Sequence, residues 1–203
     1  MGQKLKDLNI ELAEKIESIT EHLQEGLKML FQGFYKANPR YLEEVEKKAE
    51  EIKSLTEEVQ KMVADDLSYK AEEIAAAASI MSHYQKINFD LQKLSSSISS
   101  KNKEGILFTE KAVTELEEIF RGVGNLFAHL NDILLTRNAV LVDHVLNEKK
   151  KYKQLSRQFA LEHQDRLIKG LCLPRSSSLY LAILDSLEDI LWHLQAIVEE
   201  IKD

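Results

Sequence analysis

Carboxylates placed four residues apart on a helix share one face and can clamp a hard cation. A Glu-x-x-His step serves iron in helical bundles, and two histidines at i and i+4 serve zinc. The 203-residue chain holds 34 acidic side chains, six histidines and one cysteine with which to build such sites. The histidines are His22, His83, His129, His144, His163 and His193. No two stand four apart, and none has a glutamate three residues before it. His129 and Asp132 are one helical turn apart and read as a solvated or core-edge pair. His193, with Ile190 and Ile197 as helical neighbours, reads as a core-edge histidine. Cys172 is the only cysteine, so no intramolecular disulfide is possible. It lies between Leu171 and Leu173, with no activating partner nearby in sequence. "RGVGN" at 121–125 lies within a helical pattern with no strand before it, which argues against a phosphate loop. The serine runs "SSSISS" (95–100) and "RSSS" (175–178) lack a paired base and read as helix ends. "EKKKYK" at 148–153 reads as a solvated basic face. From these residues no catalytic, cofactor-binding or metal-binding set is expected, and no enzyme.

One residue stands out by its place. In "LYLAILDSLEDILWHLQAIVEE", residues 179–200, Leu179, Ile183, Leu187, Ile190, Leu194 and Ile197 form an apolar seam at steps of three and four. A second stripe runs Leu181, Asp185, Glu188, Trp192, Gln195 and Glu199. That stripe is largely polar, yet it holds the only tryptophan. Trp192 either folds over a neighbouring helix or serves another surface, where tryptophan is enriched.

The same periodicity predicts six long helices. The first spans Leu5 to Ala37, with Leu5, Leu8, Leu12, Ile16, Ile19, Leu23, Leu27, Leu30 and Phe34 on one row. Asn38 and Pro39 then break the chain as a cap and a first helical residue. Helix two carries Leu42, Val45, Ala49, Ile52, Leu55, Val59 and Met62, and ends near 64–68. Helix three carries Ile74 to Ile98 and is expected to fray within 95–105. Helix four opens at Thr109 and runs to about Arg137, and helix five runs from Asn138 to about Lys169. Gly122 and Gly124 inside helix four imply close helix packing or a hinge. Residues 170–178 form a loop, with Gly170 as a stop and Ser176 to Ser178 as a cap, before helix six. Segments of this size give helices about 40 Å long.

Bulk properties agree. Seven glycines and two prolines leave little punctuation. The net charge is −7, and neither half is basic, which argues against a nucleic-acid partner. The N-terminus has no apolar core of a signal peptide, and "IAAAASIM" at 74–81 is too short to span a bilayer. Asn38, Val45, Lys53 and Leu55 match Asn138, Val145, Lys153 and Leu155, one hundred residues on. The chain therefore reads as a single domain, 1–203, in which a three-helix unit (about 1–104) is repeated (about 105–203).

Residues 162–201 resemble the end of a PhoU-like domain, closest to the tail that follows the membrane part of bacterial sodium/phosphate cotransporters. The likeness rests on His163, "RL" at 166–167, Gly170, Pro174, "SLYL" at 178–181 and "LE" at 187–188. "FTEKAVTELEEIF" at 108–120 resembles the opening of that domain's second repeat. The resemblance implies an all-α fold of two three-helix bundles. It also implies a non-enzymatic regulatory role in phosphate uptake on the cytoplasmic side of the inner membrane. The partner would be a membrane transporter domain, another protein or a second copy of the chain. A free-standing regulator of a separate phosphate transporter or its sensor is the alternative, and a carboxylate metal-cluster protein a further one. The family carries acidic pairs four apart on two helices of each repeat. Here those positions fall on Ala49 and Lys53, Gln92 and Ser96, Lys149 and Lys153, and Glu188 and Trp192. Only Glu188 keeps a carboxylate, so no transition metal is expected at these positions.

Overall fold

The computed structural model describes residues 10–66 and 69–202. Six helices account for nearly all of them: α1 (Ile10–Lys36), α2 (Pro39–Asp65), α3 (Ala71–Lys103), α4 (Glu110–Thr136), α5 (Ala139–Ile168) and α6 (Pro174–Lys202). There is no strand among the described residues, and the all-α expectation holds. No helix among them is long and apolar enough to cross a membrane. Leu5 and Leu8 of the expected first helix, and part of the 64–68 junction, lie outside the described residues.

Local chemistry sets the breaks. Asn38 accepts a bond from the Arg40 amide at 3.1 Å, and Asn138 one from Val140 at 2.9 Å. Each cap follows a left-handed residue, Ala37 (φ 49°) and Arg137 (φ 51°). Side-chain oxygens at this position satisfy amides that a helix start leaves without partners. Thr109 caps α4 through the Ala112 amide at 3.2 Å. Gly105 and Gly170 (φ 63° and 68°) close α3 and α5. In each case the next amide returns to the helix, Ile106 to Lys101 and Leu171 to Arg166, both at 2.9 Å.

Two of these ends differ from expectation. The serine-rich 95–103 stretch is not a frayed end: α3 continues through it to Lys103. Ser95 and Ile98 are buried there, so tertiary packing outweighs poor helix propensity. Likewise Ser176 to Ser178 do not cap α6, which begins at Pro174. Ser176 and Ser177 are buried in its first turn, and both hydroxyls donate to the Leu173 carbonyl.

Packing follows the seams. α1, α2 and α3 pack on one another, as do α4, α5 and α6. The two groups meet where α3 lies on α6 and α1 on α4. The α1 row from Leu12 to Phe34 is buried throughout, and so is the α6 seam from Ile183 to Ile197. Each such side chain stabilises the fold by roughly 1.5–3 kcal/mol. Gly122 marks a close approach: a methyl group there would stand 2.4 Å from the Tyr152 ring. The glycine is a packing residue that lets α5 lie against α4.

Candidate functional site

Four of the positions picked out in sequence come together between α5 and α6. Lys149, Lys153, Glu188 and Trp192 line one groove of about 540 Å³, with Lys93 of α3, Asp185 and Asp189. A second groove of about 700 Å³, between α2 and α3, takes in Ala49, Gln92 and Ser96 beside Glu46, Glu50 and four further polar residues. Lys53 is exposed and does not line it.

The α5–α6 groove neutralises itself. It holds three lysines and three carboxylates. Lys149 is not part of a solvated face: it is 6% exposed, and its ammonium donates to Gln195 Oε1 on α6. Burial, and then Lys153, hold its pKa below the ordinary lysine value, so the charge is costly there. Gln195 in turn donates to Glu199 at 2.5 Å, and Ser156 donates to Glu188 at 3.2 Å. Lys93 bridges Asp90 (3.0 Å) and Asp189 (3.1 Å). Burial and then the neighbouring Asp189 and Glu188 push the Asp185 carboxyl up. Ammonium groups donate hydrogen bonds and repel a cation, so this donor set does not fit a carboxylate metal cluster. Among the described residues, no group of three or more His, Cys, Asp or Glu is arranged to hold a metal ion.

Trp192 sits at the groove's edge and is 51% exposed. Its indole meets the His83 ring edge-on at 5.6 Å and the His193 ring at 4.8 Å. It therefore covers part of the α3–α6 contact while leaving one face to solvent. His193 is more than a core-edge residue. Its Nδ1 stands 3.0 Å from His83 Nδ1 across the helix pair, and its Nε2 stands 3.9 Å from Asp90. His129 likewise meets His144 edge-on at 5.3 Å. Both pairs join residues on different helices, so no spacing within one helix announces them.

A buried polar cluster lies near the other end of α6. Glu115 is 1% exposed and accepts both guanidinium nitrogens of Arg166 (2.9 and 2.6 Å) and the Tyr180 hydroxyl (2.7 Å). Arg166 also donates to His163 Nδ1 at 3.2 Å. A guanidinium only donates, so His163 keeps its own proton on Nε2, which faces the Cys172 sulfur at 4.0 Å. In that form the imidazole cannot take a proton from the thiol at Nε2. Cys172 thus has a neighbour that the sequence did not show, but not a base.

No family model and no curated protein sequence matches the chain. Its fold, however, is similar to the crystal structure of PhoU from Pseudomonas aeruginosa, with a TM-score of 0.85 and 13% identity over 94% of this chain and 93% of that one. At that identity the likeness is one of architecture, and the chain has the six-helix PhoU-like fold.

Proposed function

We propose that the chain is a non-enzymatic regulatory domain of phosphate uptake, acting on the cytoplasmic side of the inner membrane as the tail of a sodium-dependent phosphate cotransporter. The observation that carries this reading is the PhoU-like fold over 94% of the chain. The sequence resemblance of residues 162–201 supplies the cotransporter. The domain is then one unit of two three-helix repeats, about 1–104 and 105–203, and it works through protein contacts. A membrane transporter domain, another protein or a second copy of the chain would be the partner. The self-neutralised α5–α6 groove supports contact rather than chemistry, because no nucleophile with an aligned base and no open cation site lines it.

The free-standing regulator is the second reading, favoured by the 93% coverage of the PhoU chain from Pseudomonas. Two measurements test both readings, and a third observation separates them. Affinity capture of the protein from its own membranes should recover a phosphate transporter, and removing it should change phosphate uptake. Uptake unchanged by its removal would overturn both readings. Membrane-spanning segments in the same reading frame upstream of Met1 would select the tail, and a separate reading frame would select the free regulator.

A further inference from the structure

His83 of α3 and His193 of α6 face each other nitrogen to nitrogen. Their Nδ1 atoms are 3.0 Å apart, although 110 positions separate them in the chain. A transition metal holds imidazole nitrogens at about 2.0–2.1 Å, so two of them on one ion lie roughly 2.9–3.4 Å apart, depending on the angle between the bonds. The observed spacing falls within that interval. Without a metal, one ring must donate its Nδ1 proton to the other. For an ion to take both Nδ1 lone pairs, the donor ring shifts its proton from Nδ1 to Nε2, so that both imidazoles stay neutral.

The surroundings fit a ligand pair. Nε2 of His193 is turned toward the Asp90 carboxylate, 3.9 Å away, and Asp90 is held by Lys93 at 3.0 Å. At that distance the carboxylate makes no hydrogen bond to the ring, and it acts on the imidazole only through its charge. Glu200, which accepts from Ser79 at 3.0 Å, brings a second carboxylate into the field of His83. Burial disfavours the charged form of both rings. Burial, then His83 and Lys86, bring His193 down to about 4. Burial and then Lys86 lower His83. Neutral imidazole carries the lone pair that a metal needs. The Trp192 indole packs against both rings and is half exposed, and His83 and His193 are themselves only partly buried.

We propose that His83 and His193 form a two-imidazole site for a divalent transition-metal ion of the zinc, copper or nickel class, with water completing the coordination. Imidazole suits these ions and is a poor match for magnesium or calcium. Neither histidine stands at one of the family's carboxylate positions, although Trp192, which does, packs against both rings.

Trp192, the only tryptophan, reports on the site. Cu²⁺ titrated into the full chain at pH 7 should quench its fluorescence saturably at one equivalent. His83→Gln and His193→Gln should each remove the saturable phase. The double variant His129→Gln, His144→Gln should keep it. A second measurement needs no variant: Zn²⁺ should protect His83 and His193, and not His22, from diethyl pyrocarbonate, as mapped by mass spectrometry. No saturable quenching in the wild-type chain, quenching unchanged in both single variants, or labelling of His83 and His193 unaffected by Zn²⁺ would each overturn the proposal. Quenching lost only in the His129, His144 variant would place the ion at the other histidine pair and overturn it as well.

Discussion

The Lys149 ammonium on α5 donates to Gln195 on α6 from a position with 6% exposure. Burial keeps its pKa below the ordinary 10.5. In the window between the lowered value and 10.5 the unfolded chain holds a proton that the folded chain has released. Stability from this residue therefore rises with pH through that window and is fully present only above 10.5. Lys149→Met should remove this slope. It should also leave the protein as stable as the wild type at pH 7, or more so, because a buried charge is exchanged for an apolar chain of similar length. Urea midpoints for both proteins between pH 7 and 10.5 measure the effect. A variant less stable by about 2 kcal/mol or more would show that Lys149 holds the helices together by its charge.

The lysines of the α5–α6 groove also bear on metal content. After dialysis, elemental analysis should find no iron or zinc that depends on Glu188, the one carboxylate left at the family positions. Stoichiometric metal that disappears in Glu188→Gln would restore the cluster reading.

Gly122 and Gly124 should behave oppositely. A methyl group at Gly122 runs into Tyr152 at 2.4 Å, whereas one at Gly124 meets only Leu27 at 4.0 Å. Gly122→Ala should destabilise by about 1–3 kcal/mol. Gly124→Ala should be neutral or stabilising by up to about 1 kcal/mol. Thermal unfolding of the two variants separates a packing requirement from a need for flexibility, which would make both harmful.

Removing Trp192 should cost the fold little. With half of the indole already in water, Trp192→Ala should lose about 1–2 kcal/mol of stability, against roughly 3–5 for a fully buried aromatic. If the exposed face meets the partner, the same change should weaken that complex by about 2 kcal/mol or more. Denaturant unfolding and a binding titration give the two numbers independently.

Arg166 should matter far more than a surface arginine. Arg166→Met leaves the Glu115 carboxylate buried without its two guanidinium bonds, which costs about 3–5 kcal/mol. Glu115→Gln together with Arg166→Met should recover part of that loss, a non-additivity that a double-mutant cycle measures directly.

What could be read from the sequence was what lies along one helix. The α1 row and the Asn38 cap declare themselves within a few turns, whereas Gly122 left packing and a hinge open until α5 brought Tyr152 against it. The serine stretch misled because its helicity comes from neighbours that bury Ser95 and Ile98. Lys149 misled for a different reason. In a run of charges it passed for solvated, yet it stands on the row Val142, Val145, Lys149, Tyr152, Ser156, Phe159 and His163, every member of which is buried. That spacing was a usable signal. The His83–His193 pair had none, because its geometry exists only once α3 is laid against α6.

The contact between α3 and α6 joins the two halves of the chain, and α3 also packs on α1 and α2. Opening either half alone would strip α3 or α6 of a face that its partner keeps dry. Amide exchange should therefore be slowest along the middle of α3, around Tyr84 to Leu94, and along Ile183 to Leu194 of α6, with similar protection in both. Calorimetry should record a single transition whose van't Hoff and calorimetric enthalpies agree.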